Sequence, residues 1–297
     1  MKIIKIIFFL TLGSFLFSSC GDDDASPSTS TLNASFDKLE NLGDDATYEG
    51  WIIVDGNPIS TGVFTVNDEG TPSKTGFDID TEDLRNATAF VLTIEPSPDN
   101  DPAPSDVHIL AGDISGTSAS LSISHPAALG TSFTGATGKY ILATPTNGEE
   151  NDENSGVWFI DLTSGMPAAG LDLPALPDAG WAYEGWAVID GQPVSTGTFT
   201  TASGADDFDG FSGGDAGPPF PGEDFLVNAP SGLTFPLDLS GATIVVSIEP
   251  VPDNSPAPFV LKPLAGDVEA NAIDHSTFEL NNIAASTYPS GSVNFEL

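Results

Sequence analysis

Tyr48-Glu49-Gly50-Trp51-Ile52-Ile53-Val54-Asp55-Gly56 returns as Tyr183-Glu184-Gly185-Trp186-Ala187-Val188-Ile189-Asp190-Gly191, 135 residues further along the chain. The agreement continues without a gap, and 12 of the 18 residues from 48 to 65 are identical to those from 183 to 200. A second block follows. Glu95-Pro96-Ser97-Pro98-Asp99-Asn100-Asp101-Pro102-Ala103-Pro104 comes back as Glu249-Pro250-Val251-Pro252-Asp253-Asn254-Ser255-Pro256-Ala257-Pro258, and Leu110-Ala111-Gly112-Asp113 as Leu264-Ala265-Gly266-Asp267. Solenoid repeats recur every ~20–50 residues, so a period this long marks two copies of a whole domain.

Within the opening stretch, Tyr48, Gly50, Ile52 and Val54 share one face of a period-two strand, with Trp51 and Ile53 on the other. Both faces are apolar, which predicts an internal strand and makes Trp51 and Trp186 core residues rather than exposed stacking platforms. Asp55-Gly56 is a hairpin turn signal, and the strand returns over 59–66. A single helical turn over 81–87 is expected, with Thr81 as its cap. Further strands are expected at 90–95, 107–111, 119–123, 139–144 and 157–162, with a short helical turn at 126–129. In the second copy a Gly/Asp/Pro/Phe-rich insertion occupies 202–232. The end of that copy, 290–297, aligns with 155–162 at the same interval of 135, so each copy is expected to finish on its own strand.

Many short strands, Gly/Pro/Asp turns and the lack of a long amphipathic helix predict an all-β fold of two tandem β-sandwich domains related by internal duplication. The expected boundaries are 46–165 for the first domain, 166–180 for a Pro/Ala/Gly-rich linker and 181–297 for the second.

The N-terminal region carries the address. A basic start with Lys2 and Lys5 precedes an apolar run over 6–17, too short to span a bilayer as a helix but suited to a signal peptide over 1–19. It ends at Phe17-Ser18-Ser19-Cys20-Gly21, which resembles a lipobox, with Cys20 as the lipid-attachment residue. Gly21-Asp22-Asp23-Asp24 resembles the acidic surface-export tag of Bacteroidetes lipoproteins, and 20–45 reads as an acidic and Ser/Thr/Pro tether. An outer-membrane lipoprotein facing the cell surface is therefore expected, with the periplasmic face as second choice. Cys20 is the only cysteine, so disulfides within the chain and thiolate metal sites are excluded. With seven Lys/Arg against 43 Asp/Glu, a formal net charge of −36 disfavours nucleic acid as a partner.

The order of blocks is similar to that of the extracytoplasmic domain of the anti-sigma-K factor family. The resemblance rests on Tyr48, Trp51, Asp55, Gly56, Pro58, Ser60, Gly62, Phe64, Glu95 and Pro96. In the second copy it rests on Tyr183, Trp186, Asp190, Gly191, Pro193, Ser195, Gly197, Phe199, Glu249 and Pro250. Members of that family hold a sigma factor through a cytoplasmic domain joined by one membrane helix to this outer domain. Neither part is read here, so the resemblance implies the outer domain without direct sigma-factor sequestration.

Signals for chemistry are sparse, and a non-enzymatic role without catalytic residues is expected. Gly210-Phe211-Ser212-Gly213-Gly214 matches a nucleophile-elbow pattern but lies in the insertion, without the strand and helix that the motif needs. His108, His125 and His275 are too scattered for a triad or a zinc site. No metal or cofactor is expected; calcium on the acidic runs 149–154 or 206–209 is the alternative, weighed against simple solvation. The best repeated site is Glu95, Asp99 and Asn100 with Glu249, Asp253 and Asn254, although Asp-Asn between prolines is also turn chemistry. The expected function is binding or sensing at the cell surface, toward an envelope protein or glycan, with the membrane contacted through the lipid anchor. A surface glycan-binding lipoprotein of a polysaccharide-uptake system is the alternative, and a hydrolase working from the acidic loops is a third.

Overall fold

A computed structural model of the chain describes residues 28–148, 151–253 and 255–297. The repeated stretch forms the same object twice. In the first copy β1 (Thr29–Asp37) precedes the hairpin of β2 (Ala46–Val54) and β3 (Asn57–Phe64), followed by β4 (Gly76–Asp80), α1 (Thr81–Asn86), β5 (Ala87–Pro96), β6 (His108–Asp113) and β7 (Ser118–Ser122). Then come β8 (Thr137–Leu142), β9 (Gly156–Trp158), β10 (Ile160–Asp161), β11 (Ala168–Ala169) and β12 (Leu171–Asp172). The second copy continues with β13 (Trp181–Ile189), β14 (Gln192–Phe199), β15 (Gly222–Asp224), β16 (Thr243–Pro250), β17 (Leu264–Asp267), β18 (Phe278–Asn282), α2 (Ala284–Thr287) and β19 (Ser290–Phe295).

Both hairpins turn through a left-handed Asp-Gly pair, Asp55-Gly56 and Asp190-Gly191, as the turn chemistry requires. Both carry a register shift at the same place, between Gly50 and Trp51 and between Gly185 and Trp186. The glycine there is a steric necessity: a Cβ on Gly50 would lie 2.4 Å from Thr61 Oγ1, and one on Gly185 would lie 2.3 Å from Thr196 Oγ1. Trp51 and Trp186 are buried, as the doubly apolar strand implied. Each indole satisfies its N–H inside the protein, donating to Thr93 Oγ1 at 2.9 Å and to Ser247 Oγ at 2.8 Å.

The protein is all-β, with two tandem units related by internal duplication. The first sheet runs β3-β2-β5-β6-β7-β19-β1-β4, and the second runs β14-β13-β16-β17-β18-β8-β9-β15, with β12 also paired to β8. Each sheet curls until its edge strands approach each other, enclosing a core in the manner of a sandwich.

The membership of these sheets differs from the sequence reading. β8 and β9, read as strands of the first copy, lie in the second sheet, whereas the C-terminal β19 lies in the first, between β7 and β1. The equivalent of β19 is β8 rather than 155–162. Gly291 pairs with Leu121 and Phe36, while Gly138 pairs with Leu280 and Leu171 in the corresponding register. The matching sequences are Thr137-Gly138 and Ser290-Gly291. A constant interval of 135 mispairs them because insertions change the spacing after the hairpin. The two copies thus exchange their last strands.

The exchange locks the units together. The crossover segments after β7 and β18 meet, where Phe133 packs edge-on against Tyr288 with ring centres 5.9 Å apart. Asn282 Nδ2 donates to the carbonyls of Phe133 and Ala136 at 2.8 and 2.9 Å. A single core cluster runs from Leu32 through Phe133 and Phe159 to Phe295.

Three smaller features also differ from what the sequence pattern predicts. Residues 29–37, read as tether, form β1, because Leu32, Ala34 and Phe36 alternate onto the core and Leu32 is fully buried. Part of the expected linker plays the same role in the second copy: Leu171 of β12 is buried and pairs with β8 as Phe36 pairs with β19. The cap of α1 is Asp80, which accepts from the Glu82 N–H at 2.7 Å, while the Thr81 hydroxyl is bonded to Ser30. Among the described residues, no helix is long and apolar enough to cross a membrane.

Candidate functional site

The Glu of the Tyr-Glu-Gly-Trp strand and the Glu of the Glu-Pro block sit on neighbouring strands of the same sheet. β13 pairs with β16 so that Glu184 faces Ser247 and Ala182 faces Glu249. In the first copy β2 pairs with β5, with Glu49 opposite Thr93 and Thr47 opposite Glu95. Alternation along the strands puts Glu184, Ser195, Ser247 and Glu249 on one face of the sheet, the face that also receives the tryptophan.

All four glutamates are buried. Glu184 accepts a short hydrogen bond from the Ser195 hydroxyl, and Glu49 accepts one from Ser60. Glu249 accepts from the Ser247 hydroxyl through Oε1, and the same atom accepts from Phe259 N–H at 2.9 Å. Burial pushes the Glu184 carboxyl up to about 7 and that of Glu249 up to about 8, against the lowering effect of these donors; Asp253 raises both further. Burial likewise raises Glu49. Lys262, whose ammonium is disfavoured by burial, acts on both Glu40 and Glu249.

Of the residues singled out in the sequence, Glu249 and Asp253 come together, and Glu184 joins them, with one carboxylate oxygen of each within 4.8 Å of the others. Asn254 lies outside the described residues, as does Cys20. In the first copy Glu95 is buried, but Asp99 and Asn100 are exposed, and Asp99 accepts from the Asp101 N–H at 2.9 Å as a turn residue. Asp253 makes the same turn bond to Ser255 N–H at 2.8 Å, so in the second copy turn chemistry and proximity to buried carboxylates coincide. Glu184 escaped the sequence reading because its stretch was explained by its apolar neighbours. Its signal was the recurrence of an acid between aromatic residues in both copies.

The two Glu-Pro loops border a cavity of about 660 Å³ between the copies, lined by Glu40, Glu95 and Asp106 from one and by Pro250, Asp253 and Phe259 from the other. Burial pushes Glu40 up to about 7.

The acids of the insertion are more firmly held than solvation implied. Asp207 accepts from the Thr198 N–H and hydroxyl at 2.7 and 2.9 Å, and Asp206 accepts from the Gly222 N–H at 2.8 Å. In the other acidic run, Glu149 and Glu150 lie outside the described residues, and Glu153 accepts from the Thr144 N–H at 3.0 Å. Ser212 lies in a turn and donates to buried Glu223, and Trp158 donates to Asp224 at 2.7 Å.

Residues 25–108 match the family described as anti-sigma-K factor rskA, C-terminal. The match covers one copy, from before β1 to the start of β6, and includes Glu49, Glu95 and Asp99. No curated protein and no solved structure matches the chain.

Proposed function

We propose that the chain is a non-enzymatic cell-envelope lipoprotein, anchored through Cys20, whose two anti-sigma-K-like units form one binding or sensing body at the cell surface. The observation that carries this reading is the cavity between the copies. A domain similar to the anti-sigma-K factor C-terminal family is present with its duplicate, and the exchanged strands hold the two Glu-Pro loops across a shared cleft. The cleft is acidic at its rim and apolar along Val107, Pro250 and Phe259, which suits an envelope protein that presents basic and apolar side chains together. The glycan-binding alternative draws less support, since all four tryptophans are buried.

The test is cross-linking on intact cells with a photoreactive residue in place of Val251, which lines the cleft and is 49% exposed. Ile273, 69% exposed and away from the cleft, serves as the control position. The reading expects capture of an envelope protein from Val251 and not from Ile273. Capture of polysaccharide or uptake porins moves the assignment to glycan binding, and equal labelling from both positions removes the cleft as the binding surface.

A further inference from the structure

The second copy contains a carboxylate arrangement that its own donors do not complete. Glu184 and Glu249 are 5% and 1% exposed, and in each, Oε1 takes the hydroxyl bond while Oε2 is buried without a hydrogen-bond partner among the described residues. Neither glutamate forms a salt bridge with a lysine, arginine or histidine among the described residues. Lys262 influences Glu249 only from beyond salt-bridge distance and is shared with Glu40. A desolvated carboxylate oxygen with no partner is unfavourable, and two side by side are more so. The first copy avoids the problem, because the Ser105 N–H bonds both oxygens of Glu95, at 2.9 and 3.1 Å.

We propose that Glu184, Glu249 and Asp253 bind a divalent cation of the calcium class. Three observations converge on it: the mutual approach of the three carboxylates within 4.8 Å, the two buried bare oxygens, and the position of Asp253 on the wall of the cleft. Calcium–oxygen bonds of ~2.3–2.6 Å place ligand oxygens on opposite sides of the ion ~4.6–5.2 Å apart and adjacent ones closer. The separation therefore suits one shared ion. A donor set made only of carboxylate oxygen selects a hard cation over zinc or copper, and water from the cleft supplies the remaining ligands. The ion draws the Glu-Pro loop, through Asp253, onto the β13–β16 pair.

Isothermal titration of the full chain, stripped with EDTA and then given calcium chloride, tests it. The expected result is saturable binding that weakens at least about tenfold in Glu249→Gln and in Asp253→Asn, and is unchanged in the first-copy control Glu82→Gln, an exposed carboxylate of α1 away from the cleft. Asp253 is only half-buried, so its variant keeps the test valid if the Glu249 variant fails to fold. Absence of binding, as when the two glutamates share a proton instead, overturns the proposal. Binding that survives undiminished in both variants, as expected of diffuse attraction to an acidic surface, overturns it equally.

Discussion

Glu95 and Glu249 occupy the same place in two copies of one fold, yet one is satisfied and the other is not. Both are buried, both accept from a hydroxyl two residues earlier, and both accept from a backbone N–H ten residues later. In the first copy that N–H belongs to Ser105 and reaches both oxygens. In the second it belongs to Phe259, whose ring packs 6.2 Å from that of Trp181, and it reaches only Oε1. The duplicated motif thus supplies the scaffold, and a few residues outside it decide whether the carboxylate is a structural acceptor or an open ligand. The same division holds for the sheets: hairpin, bulge and turn are identical in the copies, while the strand that completes each sheet comes from the other copy's end.

The largest expected effect breaks the comparison at the sheets. Removing residues 290–297 takes β19 from between β1 and β7 and deletes Val293 and Phe295, both buried. Each such side chain is worth ~1.5–3 kcal/mol of burial, so a loss of at least ~3–6 kcal/mol is expected before the lost ladder is counted. Urea unfolding measures it, and an unchanged midpoint would show that the strand is peripheral.

The next effect is a pH dependence carried by the insertion of the second copy. Glu223 is fully buried and raised by burial from 4.5 to about 7, and Asp206 is raised from 3.8 to about 7; both belong to the second copy's insertion. The folded state keeps protons there that the unfolded chain has released. Their contribution to stability is complete below the unfolded values and is lost as pH rises through about 7. For Glu223 this amounts to ~3 kcal/mol, at ~1.4 kcal/mol per pH unit of displacement. Without metal, the melting temperature should fall between pH 5 and pH 8, and Glu223→Gln should flatten the slope. A slope of opposite sign, or one unaffected by that substitution, contradicts the assignment.

The smallest effect concerns the glutamates themselves. In EDTA at pH 8, Glu95→Gln should cost ~1 kcal/mol, since an amide cannot accept through both of its terminal atoms. Glu249→Gln should be neutral or stabilising, because it removes a buried charge with one bare oxygen. Equal costs in a denaturant titration would show that the two sites are alike.

Much of the repeated hairpin was legible in the sequence, because its determinants are local. Asp55-Gly56 requires a left-handed turn, a strand apolar on both faces must be internal, and Trp51 can only be buried there. The exchange was not legible. Thr137-Gly138 and Ser290-Gly291 present nearly the same strand to nearly the same neighbours, so each is compatible with either sheet, and only the crossovers at Phe133 and Tyr288 decide between them. β1 was read as a tether for a compositional reason, since its Ser and Thr residues mask the alternation of Leu32, Ala34 and Phe36. At the carboxylate site Glu249 and Asp253 could be singled out from the repeated block, but the approach of Glu184 depends on the pairing of β13 with β16, which no local pattern states.

The exchange can be tested most directly by engineered disulfides in a chain with Cys20→Ser. Ser292 lies opposite Ser35 in the observed pairing of β19 with β1. Were the strands not exchanged, Ser292 would take the place of Lys139, opposite Glu279 of β18. Oxidation is expected to link Ser292→Cys with Ser35→Cys and to leave Ser292→Cys with Glu279→Cys unlinked. Linkage of the second pair and not the first would place β19 in its own copy's sheet and contradict the exchange.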